Sequence, residues 1–79
     1  MKQEINIPKL GSEMKTGQIL EWHVKVGDHV EEDQELCEIK TEKMNAQVES
    51  LYDGVITEIT GQVGETYDVG AVIGYIEED

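Results

Sequence analysis

The sequence predicts an all-β fold in which two similar units pack together as two sheets or a flattened barrel. Three observations support this prediction. Of the 20 Ile, Val and Leu residues among 79, 16 are β-branched, and β-branched side chains lose less freedom on strands than on helices. Short apolar runs alternate with turn residues such as glycine. The sequence also repeats itself, without a gap, at an interval of 37 residues.

The repeat aligns residues 17–39 with residues 54–76. Six of the 23 aligned positions are identical, and they include the turn glycines Gly27 and Gly64. In both copies a valine and a glycine precede an acidic residue, which indicates a tight turn because glycine accepts positive φ. Each unit is too small to bury its apolar face alone, so we expect the two to pack against one another.

Each copy contains strands in the same order, and imperfect period-two alternation predicts bulges or strands that change sheet. Pro8 is expected to end the first strand because proline has no N–H to donate to a ladder. The predicted strands cover residues 4–7, 18–22, 29–30, 35–40, 45–49, 55–59, 66–67 and 72–76.

The composition predicts one soluble, monomeric domain over residues 1–79, located in the cytoplasm. The formal net charge is −12, and such an acidic surface repels phosphate backbones and anionic membranes. No stretch approaches the roughly 20 apolar residues of a membrane span. Cys37 is the only cysteine, which excludes an internal disulfide and fits the reducing cytoplasm. We therefore expect neither nucleic acid nor a membrane as a partner.

The segment between the copies, "KTEKMNA", is expected to form a hairpin with Glu42 and Lys43 at its tip. Its place in the repeat puts this tip at the pole opposite the chain ends. The first copy also carries four extra residues within "PKLGSEMKTG", before its first long strand. Because binding contacts concentrate on loops, this insertion is either plain surface or part of a site.

Lys43 has the chemistry of an attachment point for a swinging arm. Its flexible, unbranched stem ends in a primary amine that can form a stable neutral amide, which arginine cannot. No third ligand accompanies His23 or His29 at the spacing of a metal site, and the acidic run 31–33 is typical of a solvated loop. We therefore expect no metal site and no catalytic residue.

Four motifs occur together along the chain: "PKLG", "GQILEWHVKVGDHV", "TEK" and the "DG" after the following strand. With these motifs the chain resembles, over nearly its whole length, the lipoyl domains of 2-oxo acid and acetoin dehydrogenase complexes. The resemblance implies a flattened β-barrel of two four-stranded antiparallel sheets with an internal quasi-two-fold repeat. It also implies that Lys43 carries lipoic acid as an amide, that the modifying enzyme recognises the flanking Glu42 and Met44, and that Thr41 belongs to the same site.

The resemblance implies a carrier rather than an enzyme, because the cofactor performs the chemistry. The carrier would shuttle acyl groups and electrons between a decarboxylating thiamine-dependent component, an acyltransferase catalytic domain and dihydrolipoamide dehydrogenase. A lipoate-attaching ligase or transferase would be a further partner. In such domains the loop before the second strand helps the decarboxylating component recognise its carrier, which implies this role for Leu10, Ser12, Glu13 and Met14.

Two alternatives are compatible with the sequence. Biotin carboxyl carrier domains of biotin-dependent carboxylases or decarboxylases share this fold and usually place the lysine in "AMKM". Met44 agrees with that pattern, whereas Thr41 and Glu42 do not, and the acid before the lysine favours lipoate. The other alternative is an unmodified interaction module of the same fold. Lys15, in "EMKTG", imitates half of the biotin motif but is expected in a loop rather than at the central tip.

Overall fold

The computed structural model describes residues 1–79 and contains eight strands and no helix. The predicted all-β class is confirmed. The strands are β1 (Lys2–Asn6), β2 (Thr16–Trp22), β3 (His29–Val30), β4 (Glu35–Lys40), β5 (Asn45–Glu49), β6 (Gly54–Ile59), β7 (Thr66–Asp68) and β8 (Val72–Glu78).

The first and last strands, β1 and β8, extend further toward the chain ends than the apolar pattern predicted. β1 begins two residues earlier than predicted, at Lys2, and β8 continues to Glu78, because the polar ends of the two strands pair with one another. The prediction that β1 reaches Ile7 was wrong. A register shift between Ile5 and Asn6 ends the regular pairing before the proline is reached.

The strands form two four-stranded antiparallel sheets, in the orders β1-β8-β6-β3 and β5-β4-β2-β7. The predicted architecture is therefore confirmed. Each sheet contains strands of both copies, because β3 of the first copy pairs with β6 of the second and β7 of the second pairs with β2 of the first. The two copies thus exchange one short strand each.

The 37-residue repeat extends to individual backbone hydrogen bonds. Gly27 donates its N–H to the carbonyl of Ile56 at 2.7 Å, and Gly64 donates to the carbonyl of Ile19 at 2.7 Å. The two glycines have φ angles of 97° and 90°. The register shifts that follow Ile19 in β2 and Ile56 in β6 also coincide in the repeat. The two units are therefore related by the predicted quasi-two-fold axis.

The hydrophobic core lies between the sheets and draws on both copies. Full burial of an aliphatic side chain contributes about 1.5–3 kcal/mol, so this cluster is the main source of stability. Trp22 lies at its margin, where the indole N–H donates to the carbonyl of Gly61 at 2.9 Å. The buried apolar residues are Ile5, Ile7, Ile19, Val24, Val30, Leu36, Cys37, Ile39, Val48, Ile56, Ile73 and Ile76.

The hairpin of β4 and β5 runs between two poles of the molecule. At one pole the loop after β5 meets the end of the chain, where the N–H of Asp79 donates to the carbonyl of Asp53 at 2.9 Å. At the other pole Lys40 pairs with Asn45, and residues 41–44 close the hairpin. No helix of the length and apolarity needed to cross a membrane is present.

Candidate functional site

Residues 41–44 form the tip of the β4–β5 hairpin. Pairing between the last residue of β4 and the first residue of β5 fixes both ends of this connection. The N–H of Thr41 donates to the carbonyl of Met44 at 2.8 Å, which closes the turn. The side chain of Lys43 is 78% exposed. The sheet therefore fixes both ends of the short connection from which an accessible primary amine extends.

The hydroxyl of Thr41 forms a second set of hydrogen bonds inside the tip. It donates to the carbonyl of Met44 at 2.8 Å and accepts the N–H groups of Met44 at 3.2 Å and Lys43 at 3.4 Å. Thr41 is half-buried, whereas Glu42, Lys43 and Met44 are exposed. Hydrogen bonds rather than apolar packing therefore hold the tip.

The β1–β2 loop, which contains the four extra residues, lies beside the tip. It folds back on itself, because the N–H of Met14 donates to the carbonyl of Gly11 at 3.1 Å and the N–H of Leu10 donates to the sulfur of Met14 at 3.3 Å. Met14 is half-buried and packs against the core, whereas Leu10, Ser12 and Glu13 are exposed. Met14 therefore anchors the loop, and the other three residues are accessible.

A groove of about 370 Å³ lies between this loop and the tip. All eight site residues that the sequence predicted line it, four from each side, so the structure brings the two sets to one place. Sequence reasoning missed Gly11, which also lines the groove and whose carbonyl accepts a hydrogen bond within the loop. The signal that could have found it is a glycine before "SEM" in the inserted loop, because glycine is typical of turns. The lining residues are Leu10, Gly11, Ser12, Glu13, Met14, Thr41, Glu42, Lys43 and Met44.

A single ion pair connects the two sides of the groove. Nζ of Lys43 lies 3.5 Å from Oε2 of Glu13. Both side chains are exposed, and an exposed pair of this kind contributes about 0–1 kcal/mol. The pair depends on the charge of the amine, which disappears when the amine becomes an amide. It therefore belongs only to the unmodified lysine.

The two histidines have structural partners, and the lone cysteine is buried. His23 is hydrogen-bonded to Gln47, and His29 lies 2.9 Å from a carboxylate oxygen of Asp79, whose hydrogen bond raises the pKa of His29. Burial raises the pKa of Cys37 to about 12, so its thiol stays protonated at neutral pH. No group of three or more His, Cys, Asp or Glu side chains is placed to hold a metal ion.

Comparison with known proteins finds relatives over nearly the whole chain. The biotin/lipoyl family model, described as "Biotin-requiring enzyme", matches residues 3–76. The chain is 38% identical over 77 residues to the lipoamide acyltransferase component of the branched-chain alpha-keto acid dehydrogenase complex of Bacillus subtilis, an alignment that covers 98% of this chain and 18% of that protein. It is 36% identical over 76 residues to the dihydrolipoyllysine-residue acetyltransferase component of the acetoin cleaving system of the same organism, covering 96% of this chain and 19% of that protein.

A solved structure shares both fold and sequence with the chain. It is the solution structure of the lipoyl domain of the 2-oxoglutarate dehydrogenase complex from Azotobacter vinelandii, which is 32% identical and superimposes with a TM-score of 0.75 over 95% of each chain. The domain matched is thus of the same size as this chain. By contrast, this chain spans less than a fifth of the length of the acyltransferase components described above.

Proposed function

The chain belongs to the biotin/lipoyl attachment family and is a lipoyl domain, a non-catalytic carrier of covalently bound lipoate, and we propose that Lys43 is the residue that carries it. The observation that carries this proposal is the position of Lys43 at the exposed tip of the β4–β5 hairpin, beside the groove. Other lysines are placed differently. Lys2 stacks on the ring of Tyr75 at 4.3 Å, and Lys40 is the last residue of a strand.

The residues around Lys43 suit an amide-linked lipoyl group. Nζ of Lys43 supplies the amide nitrogen, and the side chains of Leu10, Met14 and Met44 supply apolar and sulfur-containing surface along the groove. Lipoate bound in this way supplies a dithiolane that can accept acyl groups and electrons. The chain itself holds the tip, exposes the attachment lysine and presents a recognition surface beside it.

The exposed residues of the groove are proposed as the surface that other enzymes recognise. Glu42 and Met44 flank the lysine and are accessible to a lipoate-attaching ligase or transferase. Leu10, Ser12 and Glu13 on the neighbouring loop are accessible to the decarboxylating thiamine-dependent component. Both surfaces meet at one pole, so an enzyme that approaches the lysine also contacts the loop.

We further propose that the domain serves an acyltransferase subunit of a 2-oxo acid or acetoin dehydrogenase complex in the cytoplasm. The named relatives are acyltransferase components of such complexes, and the lipoyl domain of a third complex has the same fold. In this role the modified lysine passes between the decarboxylating component, the acyltransferase catalytic domain and dihydrolipoamide dehydrogenase. A lone, buried cysteine fits a reducing compartment.

The test is to express the chain in a host supplied with lipoate and biotin, measure its intact mass and map the modified peptide. We expect a lipoyl increment on Lys43 that Lys43→Arg abolishes and the matched control Lys40→Arg retains. The melting temperature of Lys43→Arg should stay within about 2 °C of the unmodified chain, because an exposed tip side chain buries little.

Other outcomes would redirect the proposal. A biotinyl increment on Lys43 would indicate a biotin carboxyl carrier domain, the alternative that Met44 favours. A lysine that stays bare beside competent attaching enzymes would indicate an unmodified interaction module. Lipoylation that persists in Lys43→Arg would place the attachment on another lysine.

A further inference from the structure

We propose that Thr41 is a positioning residue for lipoate attachment, because its hydroxyl fixes the tip from which Lys43 is presented. This inference rests on the proposed attachment at Lys43. The hydroxyl uses its one hydrogen on the carbonyl of Met44 at 2.8 Å and accepts the N–H groups of Met44 and Lys43 at 3.2 and 3.4 Å. A hydroxyl has one donor and two acceptor positions, so Thr41 uses its full capacity within the tip.

The hydroxyl of Thr41 and one backbone hydrogen bond hold the tip. The three residues that follow Thr41 are exposed, so apolar packing does not fix their backbone. The only bond between backbone groups across the tip is the one from the N–H of Thr41 to the carbonyl of Met44. The same carbonyl also accepts from the Thr41 hydroxyl. Thr41 is therefore the one side chain that is hydrogen-bonded to the backbone of Lys43 and Met44.

Thr41 and Glu13 act on Lys43 in different ways. Glu13 contacts the amine itself through an exposed ion pair at 3.5 Å, which is lost as soon as the nitrogen is acylated. Thr41 contacts only backbone atoms, which the modification does not change. Of these two side chains, only that of Thr41 can therefore hold the tip in the same conformation before and after attachment.

The attachment reaction makes the conformation of the tip important. The neutral amine of Lys43 attacks the carbonyl carbon of an acyl adenylate of lipoate, which the attaching enzyme forms from lipoate and ATP. The N–C bond forms, the bond between the acyl carbon and the AMP oxygen breaks, AMP leaves with the electron pair, and the nitrogen loses a proton. A reaction of this kind requires the amine at a defined position, which a fixed tip supplies.

Removal of the hydroxyl should lower the fraction of chains whose tip is ready to bind the attaching enzyme. The apparent affinity then falls by that fraction, while the rate at saturation is preserved. We expect Thr41→Val, which keeps the shape of the side chain, to raise the KM for the domain about fivefold to tenfold and to leave kcat within about twofold. Thr41→Ser, which keeps the hydroxyl, should restore the KM.

The experiment uses the 79-residue chain as acceptor for a purified lipoate ligase with lipoate and ATP, and follows the modified mass over time. The NMR amide exchange of Lys43 and Met44 provides a second readout that does not depend on the ligase. It should be faster in Thr41→Val and normal in Thr41→Ser. The matched control is Thr57→Val, because the hydroxyl of Thr57 also donates to a backbone carbonyl, that of Tyr75 at 3.4 Å, but on the other sheet.

The outcomes separate this inference from the proposed function. An unchanged KM and unchanged amide exchange in Thr41→Val, with a wild-type chain that is lipoylated at Lys43, would overturn the positioning role alone. A Thr41→Ser variant as poor as Thr41→Val would also overturn it, because the hydroxyl would then not be the responsible group. A wild-type chain that is never modified at Lys43 would overturn the proposed function, and this inference with it.

Discussion

In the first copy of the repeat Val24 is a buried core residue, whereas the equivalent position of the second copy is occupied by Gly61. A Cβ added to Gly61 would lie 2.5 Å from Cδ1 of Ile19 and 2.8 Å from Cβ of Ile73. Side chains from other strands therefore already fill the space that a side chain at position 61 would need. The indole N–H of Trp22 also donates a hydrogen bond to the carbonyl of Gly61. Side-chain volume is therefore balanced across the whole core and not within each copy.

The turns of the two copies, by contrast, are nearly identical. Gly27 and Gly64 share positive φ and the same backbone hydrogen bond across the molecule. The copies also differ at their ends, because the first continues into the closed tip and the second ends at the opposite pole. The same backbone geometry thus occurs in two copies that lead to different ends of the molecule, and only the end of the first copy carries the candidate site.

The largest expected difference between the copies concerns Gly17 and Gly54, which occupy equivalent positions. A Cβ on Gly54 would collide with the backbone carbonyl of Glu77, whereas a Cβ on Gly17 would lie 3.3 Å from the flexible end of Ile39. Gly54→Ala should therefore lower the free energy of unfolding by about 3 kcal/mol or more, and Gly17→Ala by less than about 1 kcal/mol. Urea unfolding of both variants checks this, and equal losses would contradict it.

Alanine at the two turn glycines should instead have equal effects. Neither Gly27 nor Gly64 has a neighbour that a Cβ would touch, so the cost is that of positive φ alone. Each variant should lose about 1–2 kcal/mol of unfolding free energy. Gly11→Ala is the matched control, because that position is also open and has no positive φ, and it should cost little. Losses that differ between the two turns by more than about 1 kcal/mol would show that they are not equivalent.

A smaller change should make the first copy more like the second. Asp33 has a φ of 73°, and its equivalent, Gly70, has a φ of 90°. Glycine adopts this conformation without the steric cost of a Cβ, but it also gains freedom in the unfolded chain, so the two effects partly cancel. Asp33→Gly should raise the free energy of unfolding by about 0.5 kcal/mol. A lower urea midpoint would show that the aspartate side chain has a stabilising role.

A pH-dependent difference is expected at the pole of the chain ends. His29 pairs with Asp79, whereas the equivalent position of the second copy is Thr66, which does not titrate. The hydrogen bond to Asp79 is the main cause of the raised pKa of His29, and the charges of Asp53 and Glu31 also contribute. The stabilisation is therefore complete below the unfolded pKa of about 6.5 and is lost as the pH rises through the higher folded pKa.

The measurement is a series of urea unfolding midpoints between about pH 5.5 and pH 8.5, compared between the wild-type chain and His29→Thr. The wild-type midpoint should fall relative to the variant as the pH rises through this window. Parallel pH profiles would show that the ion pair does not contribute to stability in solution.

The strands and turns were predictable because their determinants are local, whereas the two four-stranded sheets were expected from the resemblance. Glycines at equal spacing predicted the turns, and β-branched runs predicted the strands between them. The composition of the groove was partly predictable, since the resemblance named four residues on each side. The ion pair between Glu13 and Lys43 was not predictable, because it depends on how the inserted loop folds over the anchoring side chain of Met14. The hydroxyl bonds of Thr41 likewise depend on the exact geometry of the tip, which no residue pattern specifies.

The exchange of β3 and β7 between the copies has a consequence for cooperativity. Because each sheet is completed by a strand from the other copy, neither half of the molecule retains a complete sheet if the other half unfolds. Subglobal opening that releases only one half is therefore disfavoured, and the β4–β5 hairpin should show hydrogen-exchange protection close to that of global unfolding. Motion at Lys43 is then confined to its side chain and the four-residue tip, while the strands that carry the tip stay fixed.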